Sequence, residues 1–258
     1  MRRKLSWLCL AAGFLLALIP AVSGILDACR QLEAVSTFRQ SVLDLPARQV
    51  DQTIAQARDW DQARRSHQPV DLTYEQVLDL TGTGVMATLS IPKIGVNLPV
   101  QHGTEEEVLS NAAGHVEFSN LPIGGIGTRC ILSAHRGLPS ARLFTRLDEL
   151  QEGDLFFLQT GDRKLAYEVT DIQVIRPEET EKLEPVPDKD LVSLVTCTPY
   201  GINTHRLVVT GQRTDVPADR EEKERPVLPS GRELLFLAAP LAFGAAGAVI
   251  LFGRKEKQ

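Results

Sequence analysis

Leu165-Ala-Tyr-Glu-Val-Thr170 decides the fold class. Leu165, Tyr167 and Val169 share one face and the residues between them the other, the period of two expected of a strand with one buried side. Working outward, the same texture runs from Val85 to Gly211. Met86–Ile91, Leu155–Gln159, Ile172–Ile175, Leu191–Thr196 and Leu207–Thr210 read as further strands, and Cys130–Ala134 as a buried one. Gly95-Val-Asn97, Gly124-Gly125 and Thr160-Gly-Asp162 supply turns between them. Many short strands with such punctuation predict a barrel or a sandwich. Two short helices are expected to interrupt them. Thr104-Glu-Glu-Glu107 fits a capping box, and Pro139-Ser-Ala-Arg-Leu-Phe144 has proline at a first helical position.

Upstream, the period changes. In residues 27–78, Val50, Ile54 and Ala57 recur at helical spacing among Arg, Gln and Asp, and Leu43-Asp-Leu-Pro46 breaks the region once. Farther out, Leu5–Leu26 carries no charge in 22 positions and Leu234–Phe252 none in 19. Each run is long enough to cross a bilayer core of about 30 Å as helix. Basic residues flank both outer ends (Arg2-Arg-Lys4 and Arg254-Lys255), which predicts termini in the cytoplasm and residues 27–233 outside. Two alternatives for the first run keep the body outside as well. Ala21-Val-Ser23 has small residues at cleavage spacing, and Leu26-Asp-Ala-Cys29 approaches a lipidation box. Between the basic ends lie 22 basic and 32 acidic residues. That acidic balance argues against general nucleic-acid binding. Four cysteines in 258 residues exclude a disulfide-dense scaffold and a cysteine-rich zinc array.

Chemistry concentrates in Leu194-Val-Thr-Cys-Thr-Pro-Tyr-Gly-Ile-Asn-Thr-His-Arg-Leu-Val-Val209. A strand ends near Cys197, a turn follows, and a second strand begins near Arg206. If the two strands are antiparallel neighbours, thiol and guanidinium approach across the pair. The permanent charge of Arg then favours thiolate and can bind a developing oxyanion. A nucleophilic cysteine also needs a proton shuttle, usually histidine. His67, His102, His115, His135 and His205 are available. Periodicity does not choose among them, but His135 stands at a strand end, where a side chain addresses a cleft. Cys130, inside its strand, reads as a small core hydrophobe.

These residues resemble a known family. Leu194-Val-Thr-Cys197 followed by Arg206 is similar to the signature of sortases, the membrane-bound cysteine transpeptidases of Gram-positive surfaces. Gly84-Val-Met86, Ile91-Pro-Lys-Ile-Gly-Val-Asn-Leu-Pro99, His102-Gly-Thr104 and His135-Arg-Gly-Leu-Pro-Ser140 extend the likeness, in order, to the class C or pilus-assembly sortases over residues 30–214. The resemblance implies a mainly β fold: a closed eight-stranded barrel with short helices, an N-terminal helical extension and two flanking transmembrane helices. It implies Cys197 as nucleophile, His135 as general acid/base and Arg206 as stabiliser of substrate and oxyanion. The reaction implied is attack on the Thr–Gly bond of an LPXTG-like sorting signal, then transfer of the acyl group to a pilin lysine. Partners are pilins or other surface proteins bearing such signals. No cofactor is implied and no metal-ligand set is apparent.

The corresponding division of the chain is a membrane helix or signal anchor (1–26), a helical extension with a lid-like segment (27–84), the catalytic barrel (85–214), a charged proline-containing spacer (215–233), a second membrane helix (234–253) and a basic cytoplasmic tail (254–258). One place departs from the class. Where relatives carry an Asp-Pro-aromatic lid, this chain has Asp79-Leu80-Thr81, so Asp79 and Leu80 are lid candidates on a segment expected to be weakly held. Other functions remain open at this point: a sortase attaching proteins to peptidoglycan, a hydrolytic cysteine peptidase, or a non-catalytic membrane-tethered β-barrel that binds surface proteins.

Overall fold

The computed structural model describes residues 2–136, 143–215 and 242. Among these, eight strands close a barrel: β1 (Val85–Ile91), β2 (Val96–His102), β3 (Ala113–His115), β4 (Thr128–Ser133), β5 (Leu155–Thr160), β6 (Arg163–Ile175), β7 (Asp190–Thr198) and β8 (His205–Thr214). Their order around the barrel is β1-β2-β3-β4-β7-β8-β6-β5. β3 lies parallel to β2 and β7 parallel to β4, while the other neighbours are antiparallel.

Two strands differ from their sequence reading. Leu165–Thr170 and Ile172–Ile175 are one strand, β6, whose register against β8 slips between Val169 and Asp171. That bulge interrupts the alternation and made one strand look like two. β2 begins at Val96, inside a segment read as a turn, because the turn itself is a single 3-10 turn over Pro92–Ile94 closed by left-handed Gly95. Pro99 lies within β2, paired with Thr88 of β1. It is tolerated because β3 pairs with β2 only from Val100 onward.

Inward side chains such as Leu89, Leu98, Leu132, Phe144, Phe156, Tyr167, Leu194 and Val209 fill the barrel. Two further apolar clusters lie outside it. One joins the N-terminal helices to the wall: Phe38 and Val42 of α1 (Arg2–Leu43) and Val50, Ile54, Ala57 and Trp60 of α2 (Ala47–Arg65) pack with Val85, Met86, Leu121 and Ile123. The approach is close at the β5–β6 turn. Gly161 holds φ +60°, and a Cβ there would lie 2.6 Å from Val50 Cγ1. The other cluster, Ile131, Ile175, Leu183, Val195 and Val208, is on the opposite parity of β4, β7 and β8 and floors the face described below.

The expected N-terminal membrane helix is not a separate element. Residues 2–43 form one helix that continues through the 26/27 boundary, since no helix-stopping residue follows Leu26 before Pro46. Among the described residues no helix is long and apolar enough to cross a membrane. The spacer, the second apolar run and the basic tail (residues 216–241 and 243–258), and most of the helix expected over Pro139–Phe144, lie outside the described residues. The other short helix starts later than expected. α3 covers Glu106–Leu109 with Glu105 at its N-cap, so Thr104 does not form the capping box.

The lid-candidate segment is pinned, not loose. Val77, Leu78 and Leu80 are buried in the helix-side cluster, with Leu78 in a left-handed conformation (φ 61°). Asp79 accepts a 3.2 Å hydrogen bond from the Gly84 amide, and His102 lies between the carbonyls of Val77 (2.8 Å) and Gly84 (3.2 Å). Apolar anchoring replaces the proline and aromatic ring that this segment lacks.

Buried polar groups dock α2 onto the barrel. Asp61 accepts from the Leu121 amide through both carboxylate oxygens, at 3.2 and 3.1 Å, and burial pushes its pKa up to about 6. His115, fully buried, lies 2.9 Å from the Tyr74 hydroxyl through Nδ1 and 2.9 Å from the Asn120 carbonyl through Nε2; burial lowers its pKa to about 4. The two groups oppose each other in linkage. Between the ordinary 3.8 and about 6, folded Asp61 holds a proton that the unfolded chain releases, so its contribution falls as pH rises. Between about 4 and the ordinary 6.5, the unfolded chain holds the extra proton on His115, so that contribution rises with pH. At about 1.4 kcal/mol per pKa unit, each swing is on the order of 3 kcal/mol. Asp61→Asn should therefore steepen the gain in stability between pH 4 and 6.5 relative to the parent, as read by urea midpoints at the two ends. Equal slopes in variant and parent would contradict the assignment to Asp61.

Candidate active site

β7 and β8 are antiparallel neighbours, and their register pairs Cys197 with Arg206. Directly paired residues project to the same face. Here that face is the outer one, because Val195 and Val208, two positions back on each strand, belong to the outer cluster. On its other side Arg206 pairs with Ile175 of β6, also in that cluster. β4 reaches the same place from the parallel side. Its register against β7 runs to Ser133↔Val195, and continuing it by two residues puts His135 level with Cys197. Cys197, Arg206 and His135 are thus brought to one face at the ends of three adjacent strands.

The side chains themselves are engaged elsewhere. Arg206 Nη1 donates to the carbonyls of Asn203 (3.2 Å) and His205 (3.1 Å), so the guanidinium lies against the β7–β8 loop. His135 Nε2 is 3.0 Å from the exposed carboxylate of Glu106 on α3. No hydrogen bond joins Cys197, His135 and Arg206 to one another, or to Asp79, among the described residues. Leu80 faces the helix-side cluster, not this face.

The other histidines sit elsewhere. His115 and His102 are in the network beneath α2 and the 77–84 segment, His67 lies just past the end of α2, and His205 pairs with Thr198 on the parity opposite to Arg206. All four cysteines are free; Cys197 is half-buried and Cys130 buried in the barrel, where burial pushes its thiol pKa well up. That leaves Cys130 a poor nucleophile. No group of three or more His, Cys, Asp or Glu among the described residues is placed to hold a metal.

Sequence reasoning missed the support beneath this face. Arg129 is buried, donating Nε to the Glu184 carbonyl at 2.9 Å and Nη1 to Ser193 Oγ at 2.9 Å, which ties the β6–β7 loop across the outer cluster. Its position two residues before Ile131 on the same strand face was the available signal. Arg136 follows His135 directly in the chain. It forms a 2.6 Å ion pair with Asp148 and donates to Thr198 Oγ1 at 3.2 Å.

Residues 89–214 match the Sortase domain family. Among solved structures, the chain is similar to sortase C1 from Streptococcus agalactiae, with 38% identity, a TM-score of 0.67 and coverage of 72% of this chain and 100% of that one. It is also similar to Clostridium perfringens sortase C with the C-terminal cell wall sorting motif, with 36% identity, a TM-score of 0.64 and coverage of 72% and 100%. Among curated proteins, it is 29% identical over 137 residues to Sortase A of Bacillus anthracis, covering 53% of this chain and 63% of that protein. The chain thus spans less than two thirds of that relative's length.

Proposed function

The chain belongs to the sortase family, whose members are cysteine transpeptidases, and from that premise we propose that it cleaves an LPXTG-like sorting signal and transfers the acyl group to a pilin lysine. The observation that carries this reading is the register: Cys197 opposite Arg206 on β7–β8, with His135 level with Cys197 at the end of β4. The Cys197 sulfur attacks the threonine carbonyl carbon of the signal. Arg206 donates to the oxyanion as the tetrahedral species forms. His135 gives a proton to the departing glycine amine, leaving a thioester on Cys197. The lysine amine then attacks that carbonyl, His135 takes its proton, and an isopeptide bond replaces the thioester.

Class C assignment is supported by the class C sortases among the similar solved structures, and pilus assembly is the function this proposes for the chain. Membrane attachment is proposed on the sequence alone: two long uncharged runs with basic outer flanks, holding the barrel outside the cytoplasm. The roles of Asp79 and Leu80 are proposed to be structural, fixing the 77–84 segment against α2.

Incubation with an LPXTG-type peptide, with and without a lysine-bearing pilin peptide, tests the function. Transpeptidation yields the branched product only when the amine is present. Cleavage at an amine-independent rate, with no branched product, would make the chain a hydrolase instead.

Arg206→Lys keeps the charge but loses the planar fork that can hold two acceptors. Loss of one oxyanion donor costs about 2.7–4 kcal/mol, so kcat should fall about a hundred-fold or more. Near-parental turnover in this variant would mean that charge alone suffices.

A further inference from the structure

Resting on the assignment of Cys197 and His135 as the reacting pair, we propose that Arg136 is a positioning residue that sets the spacing between them by tying Thr198 to Asp148. His135 and Cys197 stand on two strands whose pairing formally ends at Ser133↔Val195. Past that point the ladder no longer fixes their separation, and something else must. Two ties do so, one on each side of the pair. Before it, the Ala134 amide donates to the Val195 carbonyl at 3.3 Å, and Thr196 Oγ1 donates to the Ala134 carbonyl at 2.8 Å. After it, Arg136 Nη1 donates to Thr198 Oγ1 at 3.2 Å. Residues 134 and 136 are thereby bound to 195, 196 and 198, leaving 135 and 197 as the two positions between the ties.

The second tie has a rigid base. Arg136 Nη2 lies 2.6 Å from Asp148 Oδ2, in the 3-10 turn Leu147–Glu149, and the arginine side chain is 6% exposed. A charge-assisted contact whose arginine is buried and whose carboxylate is partly buried holds its geometry better than a fully exposed one. The turn is in turn built into the barrel core through Leu147 and Phe144, and the Phe144 amide donates to the His135 carbonyl at 3.1 Å. One guanidinium therefore connects the immediate neighbour of His135, the immediate neighbour of Cys197 and a fixed point of the core. A small displacement of reacting groups is costly in rate, so removing this connection should act on the chemical step more than on substrate binding.

The test uses the full chain, with Thr198→Val, Arg136→Lys and the double variant, and Cys197→Ala as the reference for dependence on the thiol. Thr198→Val removes only the hydroxyl arm and leaves the Arg136–Asp148 pair. Arg136→Lys keeps a charge for Asp148 but not the two-armed reach. Each single variant should lower kcat about ten-fold with KM within two-fold, and should shift the pH dependence of Cys197 alkylation. The double variant should lose no more than the larger single loss, since both cut one connection. Thermal midpoints measured alongside separate a stability loss from a rate loss. If both single variants keep the parental kcat per titratable thiol and the parental alkylation profile, Arg136 is structural only and the proposal fails. If instead the parent's activity survives Cys197→Ala, it is the assignment of the reacting pair that fails.

Discussion

Cys197→Ala should abolish both cleavage and transfer, a loss of roughly 10⁴-fold or more, because it removes the sulfur proposed to carry the acyl group. The four cysteines make the contrast sharp. Cys130 is buried among Leu132, Val192 and Leu194 with its thiol pKa pushed well up, so it is neither accessible nor readily ionised. Cys130→Ala should leave turnover within a few-fold of the parent and cost about 1 kcal/mol of stability through the small cavity it creates. Steady-state rates with a sorting-signal peptide, normalised to folded protein, measure both. Substantial turnover in Cys197→Ala would remove the nucleophile from this account.

His135→Ala should lower kcat/KM by about 10²–10⁴-fold, the range that positioned acid–base groups supply. The proton that leaves with glycine and the proton taken from the incoming lysine both pass through this residue in the proposed mechanism. His205→Ala is the internal comparison. His205 is one residue from Arg206 in sequence, but it pairs with Thr198 on the other parity and contacts Thr204 Oγ1 at 2.9 Å. It should therefore affect turnover only a few-fold. A reversal, with His205→Ala inactive and His135→Ala nearly normal, would reassign the shuttle.

Much of the barrel was legible in the sequence because alternation survives wherever a strand buries one face. Leu165, Tyr167 and Val169 all belong to the barrel core, and Val50, Ile54 and Ala57 all belong to the helix-side cluster. The Cys197–Arg206 pairing was legible for a similar reason. Two strands flanking the six-residue connection 199–204, each with a buried face, have few registers open to them. What could not be read locally was the closure. The parallel pairing β4–β7 and the closing pair β1–β5 join segments far apart in sequence, and β3 is only three residues long. Whether the strands made a barrel or a sandwich was therefore undetermined from periodicity, and the family resemblance supplied the barrel.

Buried polar residues were the other gap. Asp61 continues the spacing of Val50, Ile54 and Ala57 along α2, so its burial had a signal, but a carboxylate among Arg and Gln reads as solvent-facing. Arg136 and Arg129 had less. Their partners, Asp148, Thr198, Ser193 and Glu184, come from other strands and loops, and only the folded chain assembles them. The Asp79 segment differs from its sequence expectation for a related reason. Its expected looseness was argued from residues it lacks, whereas its anchors, Val77, Leu78 and Leu80, are ordinary apolar side chains that meet α2 only in the fold.

In the proposed reaction the Cys197 thiol carries the acyl group. Intact mass of the protein after brief exposure to an LPXTG-type peptide without an amine acceptor, followed by peptide mapping, tests it most directly. The account predicts one adduct of the mass of the peptide up to its threonine, located on the fragment containing Cys197, hydroxylamine-labile and discharged when a lysine peptide is added. An adduct on a fragment containing Cys9, Cys29 or Cys130, or one that persists in Cys197→Ala, would contradict it.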